Sequence, residues 1–318
     1  MEPLKLNPHF TDYLWGGRKL VTDFGKKCDY DKVAESWELS CHKDGHSVIA
    51  NGEFAGLTLQ EYIDKIGRSV LGTNCDKFEN FPVLIKLIDA KDNLSVQVHP
   101  DNDYAMRVEG EYGKTEMWYI VDCEEGASLL YGFKKPVTKE EFERRIKDNT
   151  LLEITNSVKV KKGDCFFIQA GTLHAIGKGI LIAEIQQNSN TTYRIYDYGR
   201  VGADGKPRQL HIEKALDVTE LKLPEPPAQP APEKLDGCTI TQLAACEYFN
   251  VKKLDVETSV LLEATSESFN AILFLSGDAA ISYGEKKLEV KKGETVFIPA
   301  SFGKYSIEGK CEAILTTV

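Results

Sequence analysis

The sequence predicts a mainly β protein made of two sandwich- or barrel-like units, with a few helices inserted in the N-terminal part. Three observations carry this. The stretch from Thr239 to Thr317 breaks into short strands with turn signals at regular spacing, the pattern of a sandwich or barrel. The piece from Lys161 to Gly171 (KKGDCFFIQAG) recurs from Lys291 to Ser301 (KKGETVFIPAS). Each copy reads as a Gly turn, a buried strand and a second turn, so one β unit occurs twice. Earlier segments alternate apolar and polar residues, the period of a half-buried strand.

Along the chain, Tyr13-Leu14-Trp15-Gly16-Gly17-Arg18 reads as an aromatic anchor beside a tight turn. Ala34 to Ser40 alternates as a strand. Cys41, His42 and His46 follow without the ligand spacing of a zinc module, and read as a solvated loop. Thr58 with Glu61 forms a capping box, and the helix it opens is predicted to run to about Leu71, where Gly72 stops it. Phe81 to Asp89 is an apolar strand with Lys86 inside it. Ser95 to His99 is a strand ended by Pro100, which cannot donate to a ladder. Lys114 to Val121 alternates, with Lys114, Glu116 and Trp118 on one face. Thr138 caps a charged helix to Ile146, and His211 to about Thr219 is a short helix. Leu223 to Leu235 contains Pro224, Pro226, Pro227, Pro230 and Pro232. So many prolines exclude a helix or central strand and mark an extended connector. The predicted organisation is 1–222, a connector over 223–236, and 237–318.

Composition narrows the function. The chain has 318 residues and a net charge of -10. That disfavours nucleic acid or an anionic membrane as partner, although a local Arg and Lys cluster could still bind a small anion. No run approaches the roughly 20 apolar residues of a membrane span, and no leader pattern is seen. The eight cysteines are scattered with no C-x-x-C and read as free thiols of a cytoplasmic protein.

The chemistry centres on the Ser95–His99 strand. Ser95, Gln97 and His99 share one face, while Val96 and Val98 pack on the other. Gln97 and His99, Glu116 on a nearby strand, and His174 beyond the Gly163 strand make two imidazoles, a carboxylate and an amide oxygen. This set suits a divalent metal, zinc first. A hydrogen-bonded polar core, with His174 as a capping residue, explains the same spacing. At the offset of the repeat His174 falls on Lys304, so the second copy reads as structural, with no metal of its own.

Six segments carry a resemblance: YLWGG at 13–17, AESW at 34–37, LSVQVHPD at 94–101, GKTE at 113–116, GTLHA at 171–175, and EIQQ at 184–187 through YRIYD at 193–197. In these the chain resembles type I mannose-6-phosphate isomerases of the short bacterial form. The resemblance implies a cupin (jelly-roll) fold and one zinc ion held by Gln97, His99, Glu116 and His174. It implies interconversion of mannose 6-phosphate and fructose 6-phosphate, with Arg194 as the main catalytic arginine. Glu184 is the expected proton carrier. Lys114 is the second candidate, since the ion would depress its pKa. Ser95, Arg200 and Lys86 are the expected phosphate contacts, with Arg208 as a further candidate. The expected partner is a small sugar phosphate, and the expected state a monomer or weak homo-oligomer. The rivals are a metal cupin of another reaction class and a non-catalytic sugar-binding cupin.

Overall fold

Two antiparallel sheets face each other in the N-terminal part of the computed structural model, which describes residues 1–202, 205–226 and 231–318. One is six-stranded, in the order Cys165–Ile168, Glu116–Cys123, Ile180–Gln187, Val83–Ala90, Glu35–Leu39, His9–Thr11. The other is five-stranded, in the order Thr155–Lys159, Ser128–Phe133, His174–Ala175, Val96–Val98, Tyr193–Tyr196. The two central strands of the six-stranded sheet, Ile180–Gln187 and Val83–Ala90, are buried along their whole length. They therefore read as continuous apolar runs rather than alternating ones. Polar residues inside such runs, Lys86 and Glu184 among them, are placed by register.

Three apolar layers hold the part together. Trp118, Ile88, Ile120, Ile182, Phe166 and neighbours fill the space between the facing sheets at one end. Val96, Val98, Phe133, Phe142 and Leu151 pack the five-stranded sheet against helix Lys139–Lys147. Ile85, Leu87, Met117, Tyr119 and Ile185 back the six-stranded sheet onto helix Leu59–Ile66 and onto the C-terminal strands. Burying each such side chain contributes roughly 1.5–3 kcal/mol.

The C-terminal strands form a further antiparallel sheet, and the N-terminus belongs to it. Leu4–Asn7 pairs with Thr295–Ile298, so Leu4 lies opposite Phe297. In the two repeated pieces, Gly163 and Gly293 take φ values of 92° and 85°. Those values favour glycine and turn the chain into strands Cys165–Ile168 and Thr295–Ile298.

Two predicted boundaries shift. Helix Leu59–Ile66 has the expected capping box but ends at Gly67, whose φ is 104°, and short 3-10 turns carry the chain to Cys75. Within the expected connector, Pro232–Leu235 is the outermost strand and pairs with Cys238–Ala245. An edge position tolerates its proline. The connector's residues 227–230, with Pro227 and Pro230, lie outside the described residues. Two helices have no counterpart among the predicted elements: the single turn Lys19–Thr22, and Asn102–Val108, capped by the Asp101 carboxylate, which accepts from Tyr104 N at 2.8 Å.

A buried ion pair joins the two parts. Glu38, fully buried, accepts from Ser36 Oγ at 2.6 Å and Thr295 Oγ1 at 3.0 Å, and meets Lys26 Nζ at 2.5 Å. Removing one partner leaves a buried charge without a counter-ion. Lys26→Met is expected to cost about 3 kcal/mol in urea unfolding. The double variant Lys26→Met/Glu38→Gln should recover part of that loss, because no charge is then stranded.

Candidate active site

The facing sheets each send polar side chains into the space between them. From the five-stranded sheet come Gln97, His174 and Arg194, held in line by cross-strand pairing of Gln97 with both His174 and Arg194. His99 follows one residue after strand Val96–Val98. From the six-stranded sheet come Glu116, Glu184, Lys86 and Glu35. Here Trp37 lies opposite Lys86, Lys86 opposite Glu184, and Glu184 opposite Trp118. Antiparallel partners share a face, so these four side chains form a row across the sheet.

His99 and His174 converge with Glu116. Their Nε2 atoms are 3.1 Å apart. Glu116 approaches His174 Nε2 at 3.4 Å and His99 Nε2 at 3.7 Å. His99 Nδ1 lies 2.9 Å from the Thr191 carbonyl, and His174 Nδ1 lies 2.8 Å from the Thr172 carbonyl. A carbonyl only accepts, so each Nδ1 carries the proton and each Nε2 presents a lone pair. Burial holds both rings below the usual imidazole range, His174 at about 4, so both are neutral at pH 7. Burial first, and Glu184 second, raise the Glu116 carboxyl, and its Oε1 has no hydrogen-bond partner. Two lone pairs and a carboxylate turned on one point, in a dry site, are mutually unfavourable without a cation. The arrangement therefore fits a divalent metal. Among the described residues, His99, Glu116 and His174 are the cluster with metal-binding geometry. The Gln97 amide lies beside them, its nitrogen 3.3 Å from His174 Nε2. A half-turn of that amide would put its oxygen there instead.

A row of buried charges extends from this cluster. Lys114 Nζ lies 3.1 Å from Glu116 and 3.9 Å from Glu184. Lys86 Nζ lies 3.6 Å from Glu184, 3.5 Å from Glu35 and 4.9 Å from the centre of the Trp37 ring. The carboxylates of Glu35 and Glu184 accept from Trp37 Nε1 at 2.7 Å and Trp118 Nε1 at 2.9 Å. Burial alone would push the Glu184 carboxyl up, but Lys114 and Lys86 outweigh it and hold it below its ordinary value. Burial would likewise lower Lys114, but Glu116 and Glu184 outweigh that and keep its pKa raised. The two flanking carboxylates thus oppose the depression expected of a nearby ion.

These groups open on a cavity of about 270 Å³, near the lower bound for pockets that take a small metabolite. Its walls carry Lys86, Lys114, Arg194 and Arg208 against Glu35 and Glu184. The cavity is therefore locally cationic in an acidic chain. Ser95 lines it and accepts from Arg194 Nε at 3.2 Å. Arg200 is placed elsewhere. Its guanidinium donates to the Asn93 carbonyl at 2.5 Å and pairs with Asp197, and it is not part of the cavity lining. Arg208, anchored on the same Asp197 at 2.6 and 2.7 Å, does line it. Lys86 lines it too, but its ammonium is already matched by two carboxylates. Glu35, Asn190 and Thr192 also face the cavity. Only Glu35 carries a signal readable in the sequence: it shares a strand face with Trp37.

A larger cavity of about 410 Å³ lies between Tyr131, Phe167, Leu173 and the connector residues Leu223 to Pro226. It contains no comparable cluster of acid–base groups among the described residues.

Comparison with known proteins finds relatives along the whole chain. Residues 4–126 match the family model described as phosphomannose isomerase type I, catalytic domain, and residues 239–318 match the mannose-6-phosphate isomerase cupin domain. The chain is 40% identical over 317 residues to mannose-6-phosphate isomerase ManA of Bacillus subtilis (99% of this chain, 98% of the relative). It is 38% identical over 313 residues to mannose-6-phosphate isomerase of Streptococcus mutans (98% and 97%). The crystal structure of mannose 6-phosphate isomerase from Bacillus subtilis superposes with a TM-score of 0.94 at 36% identity, covering 100% of both chains. A phosphomannose isomerase structure from Salmonella typhimurium, at 17% identity, shares the fold with a TM-score of 0.80.

Protein stripped of cations is expected to gain stability when a divalent cation that the cluster fits, such as zinc, is added. The gain should be about 2.7 kcal/mol at a hundredfold excess over Kd, read as a rise in unfolding temperature. Glu116→Gln should gain almost nothing. Because the Glu116 carboxyl is raised to about 8 and His174 takes a proton only near pH 4, protons compete with the metal first at Glu116, so the gain should shrink as pH falls below 8 and vanish as pH falls through 4.

Proposed function

The chain belongs to the type I phosphomannose isomerase family, and we propose that the cavity between its facing sheets is where mannose 6-phosphate and fructose 6-phosphate are interconverted, through an enediolate. The observation that carries this is convergence. Arg194 and Glu184, brought in from opposite sheets, line one cationic cavity beside the His99–Glu116–His174 cluster.

The chain's own residues account for the proton transfer. Glu184 is held ionised, one oxygen accepts from Trp118, and the other, Oε1, has no hydrogen-bond partner. It takes the proton from C2 and returns it to C1. Arg194 keeps its charge throughout and stands where negative charge grows on the substrate oxygens. Its position is set by Ser95 Oγ and by the Gln209 carbonyl at 3.1 Å. Lys114, charged between Glu116 and Glu184, offsets the repulsion of the two carboxylates, and it gives a proton to O1 and recovers one from O2, so that the aldehyde becomes a hydroxyl as the C2 hydroxyl becomes a carbonyl. A zinc ion held by His99, Glu116, His174 and the Gln97 amide oxygen would supply Lewis-acid polarisation of a substrate oxygen. Two imidazoles and one carboxylate also suit ferrous oxygenase centres. The neighbouring acid–base row and the cationic phosphate end favour the isomerase.

For the phosphate, Arg208 and Ser95 are the contacts the cavity offers. Asp197 fixes Arg208 with its guanidinium toward the lumen, whereas Arg200 is spent on Asn93 and Asp197. Arg200 would act by holding Asp197 still.

Isomerase activity, followed by coupling fructose 6-phosphate to a dehydrogenase, should vanish on chelation and return with zinc. Arg194→Gln should lower kcat by about a hundred- to a thousandfold, with the metal content unchanged. Activity that survives complete metal removal would sink the reading.

Arg208→Ala should raise KM for the sugar phosphate by roughly tenfold, the loss of about 1.4 kcal/mol, with a smaller effect on kcat. Arg200→Ala should raise KM less. The reverse order would move the phosphate contact back to Arg200.

A further inference from the structure

The sequence reads His42 as part of a solvated loop. Instead it is 4% exposed, on a short hairpin in which Cys41–His42 pairs with Gly45–His46. Its Nδ1 accepts from Asp44 N at 3.1 Å, so the proton of the neutral ring sits on Nε2, which lies 2.8 Å from Glu111 Oε1. The other Glu111 oxygen accepts from Thr191 Oγ1 at 2.8 Å and from Asn190 N at 3.2 Å. The Thr191 carbonyl in turn receives the Nδ1 proton of His99. The chain of contacts thus runs from His42 through Glu111 to the loop that orients a metal-facing imidazole. The next residue on each side of Thr191, Asn190 and Thr192, faces the substrate cavity.

We infer that Glu111, held by His42, is a positioning residue that latches the 189–192 loop and thereby sets the direction of the His99 lone pair and the shape of the adjoining cavity wall. Glu111 does not touch the cavity and has no place in the proton transfer. Burial would raise its carboxyl, but the bonds from His42 and Thr191 outweigh this and hold it near 2. The latch is therefore a permanent carboxylate across the working pH range. A ligand histidine whose outer nitrogen is held by a carbonyl is only as well aimed as that carbonyl. Here the carbonyl belongs to a loop residue whose own side chain is fastened by Glu111.

The inference rests on His99 being a metal ligand, so the experiment includes His99→Gln. Zinc release from the loaded protein into a chromophoric chelator is timed, and the visible spectrum of the cobalt-substituted protein is recorded. Glu111→Ala is expected to release metal about tenfold faster, the lower end of what outer partners of ligands contribute. It should also shift the cobalt bands and raise KM. Glu111→Gln, whose amide oxygen can still accept from the loop, should lie closer to native. Thr191→Val keeps the carbonyl and the packing but loses the hydroxyl. It should show the same changes in smaller measure, and it carries the test if Glu111→Ala does not fold. In the double variant Glu111→Ala/Thr191→Val the release rate should match that of Glu111→Ala alone. Native release rates and cobalt spectra in Glu111→Ala or in Thr191→Val overturn the latch, as does a multiplicative effect in the double variant. If instead His99→Gln keeps its metal as native protein does, the metal reading fails, and the latch with it.

Discussion

Two imidazole lone pairs and a carboxylate directed at one buried point are the constraint on which this molecule is built. None of the three groups can move away, because each is tied from behind. Thr172 and Thr191 hold the rings, and Lys114 flanks the Glu116 carboxylate. Isolated burial of such groups costs several kcal/mol. The fold offsets that cost by spreading charge of alternating sign across the sheet, from Glu116 through Lys114, Glu184 and Lys86 to Glu35. The same alternation keeps Glu184 ionised and Lys114 protonated. The acid–base character of the site is thus a consequence of how the sheet tolerates buried charge.

Antiparallel pairing makes that spread possible. A side chain on a central strand meets partners at fixed spacing on both sides. Trp37, Lys86, Glu184 and Trp118 therefore stand in one row by register alone. The two indoles sit at either end of the row and donate to the carboxylates. Their apolar bodies help to exclude water from Lys86 and Glu184 between them. The opposite sheet contributes groups of a different kind, imidazole, amide and guanidinium. Neither sheet holds a complete site, and only their apposition brings Arg194 across from Glu184.

Much of this is legible in the sequence, and the reason is periodicity. The alternation of Ser95 to His99 and of Lys114 to Trp118 is enough to place those side chains on common faces. The repeated Lys-Lys-Gly piece exposes the two related strands. What stays hidden lies where no period operates. Arg208 could be named only as a further candidate, because it reaches the cavity from an irregular loop and is held there by Asp197, eleven residues earlier in the chain. Glu111 and His42 are 69 residues apart, and neither sits on a patterned strand. The end of helix Leu59–Ile66 is ambiguous in sequence because two glycines, Gly67 and Gly72, offer themselves as stops. The nearer one takes the positive φ that closes the helix. The charge on Lys114 depends partly on Glu184, 70 positions downstream, which no local pattern reveals.

The repeated strands show what happens to the same scaffold when its centre carries no charge. In the first copy Ile168 lies opposite Glu116 on the neighbouring strand; in the second, Ile298 lies opposite Asn270. Asn270 is buried, as Glu116 is, but it donates from its amide to Tyr305 Oη at 2.7 Å and to the Glu263 carbonyl at 3.2 Å. Lys304, the residue at the offset of His174, is exposed. An amide and a phenol can satisfy each other, so this centre closes on itself and its surroundings pack as ordinary core around Ile272, Val296 and Ile307. A carboxylate and two imidazoles cannot do so without a proton or a cation between them. The two copies of this strand arrangement therefore differ in hydrogen-bond arithmetic. Where donors and acceptors balance, the interior is closed. Where acceptors outnumber donors, as at His99, Glu116 and His174, the centre is left with lone pairs that a proton or a cation would satisfy.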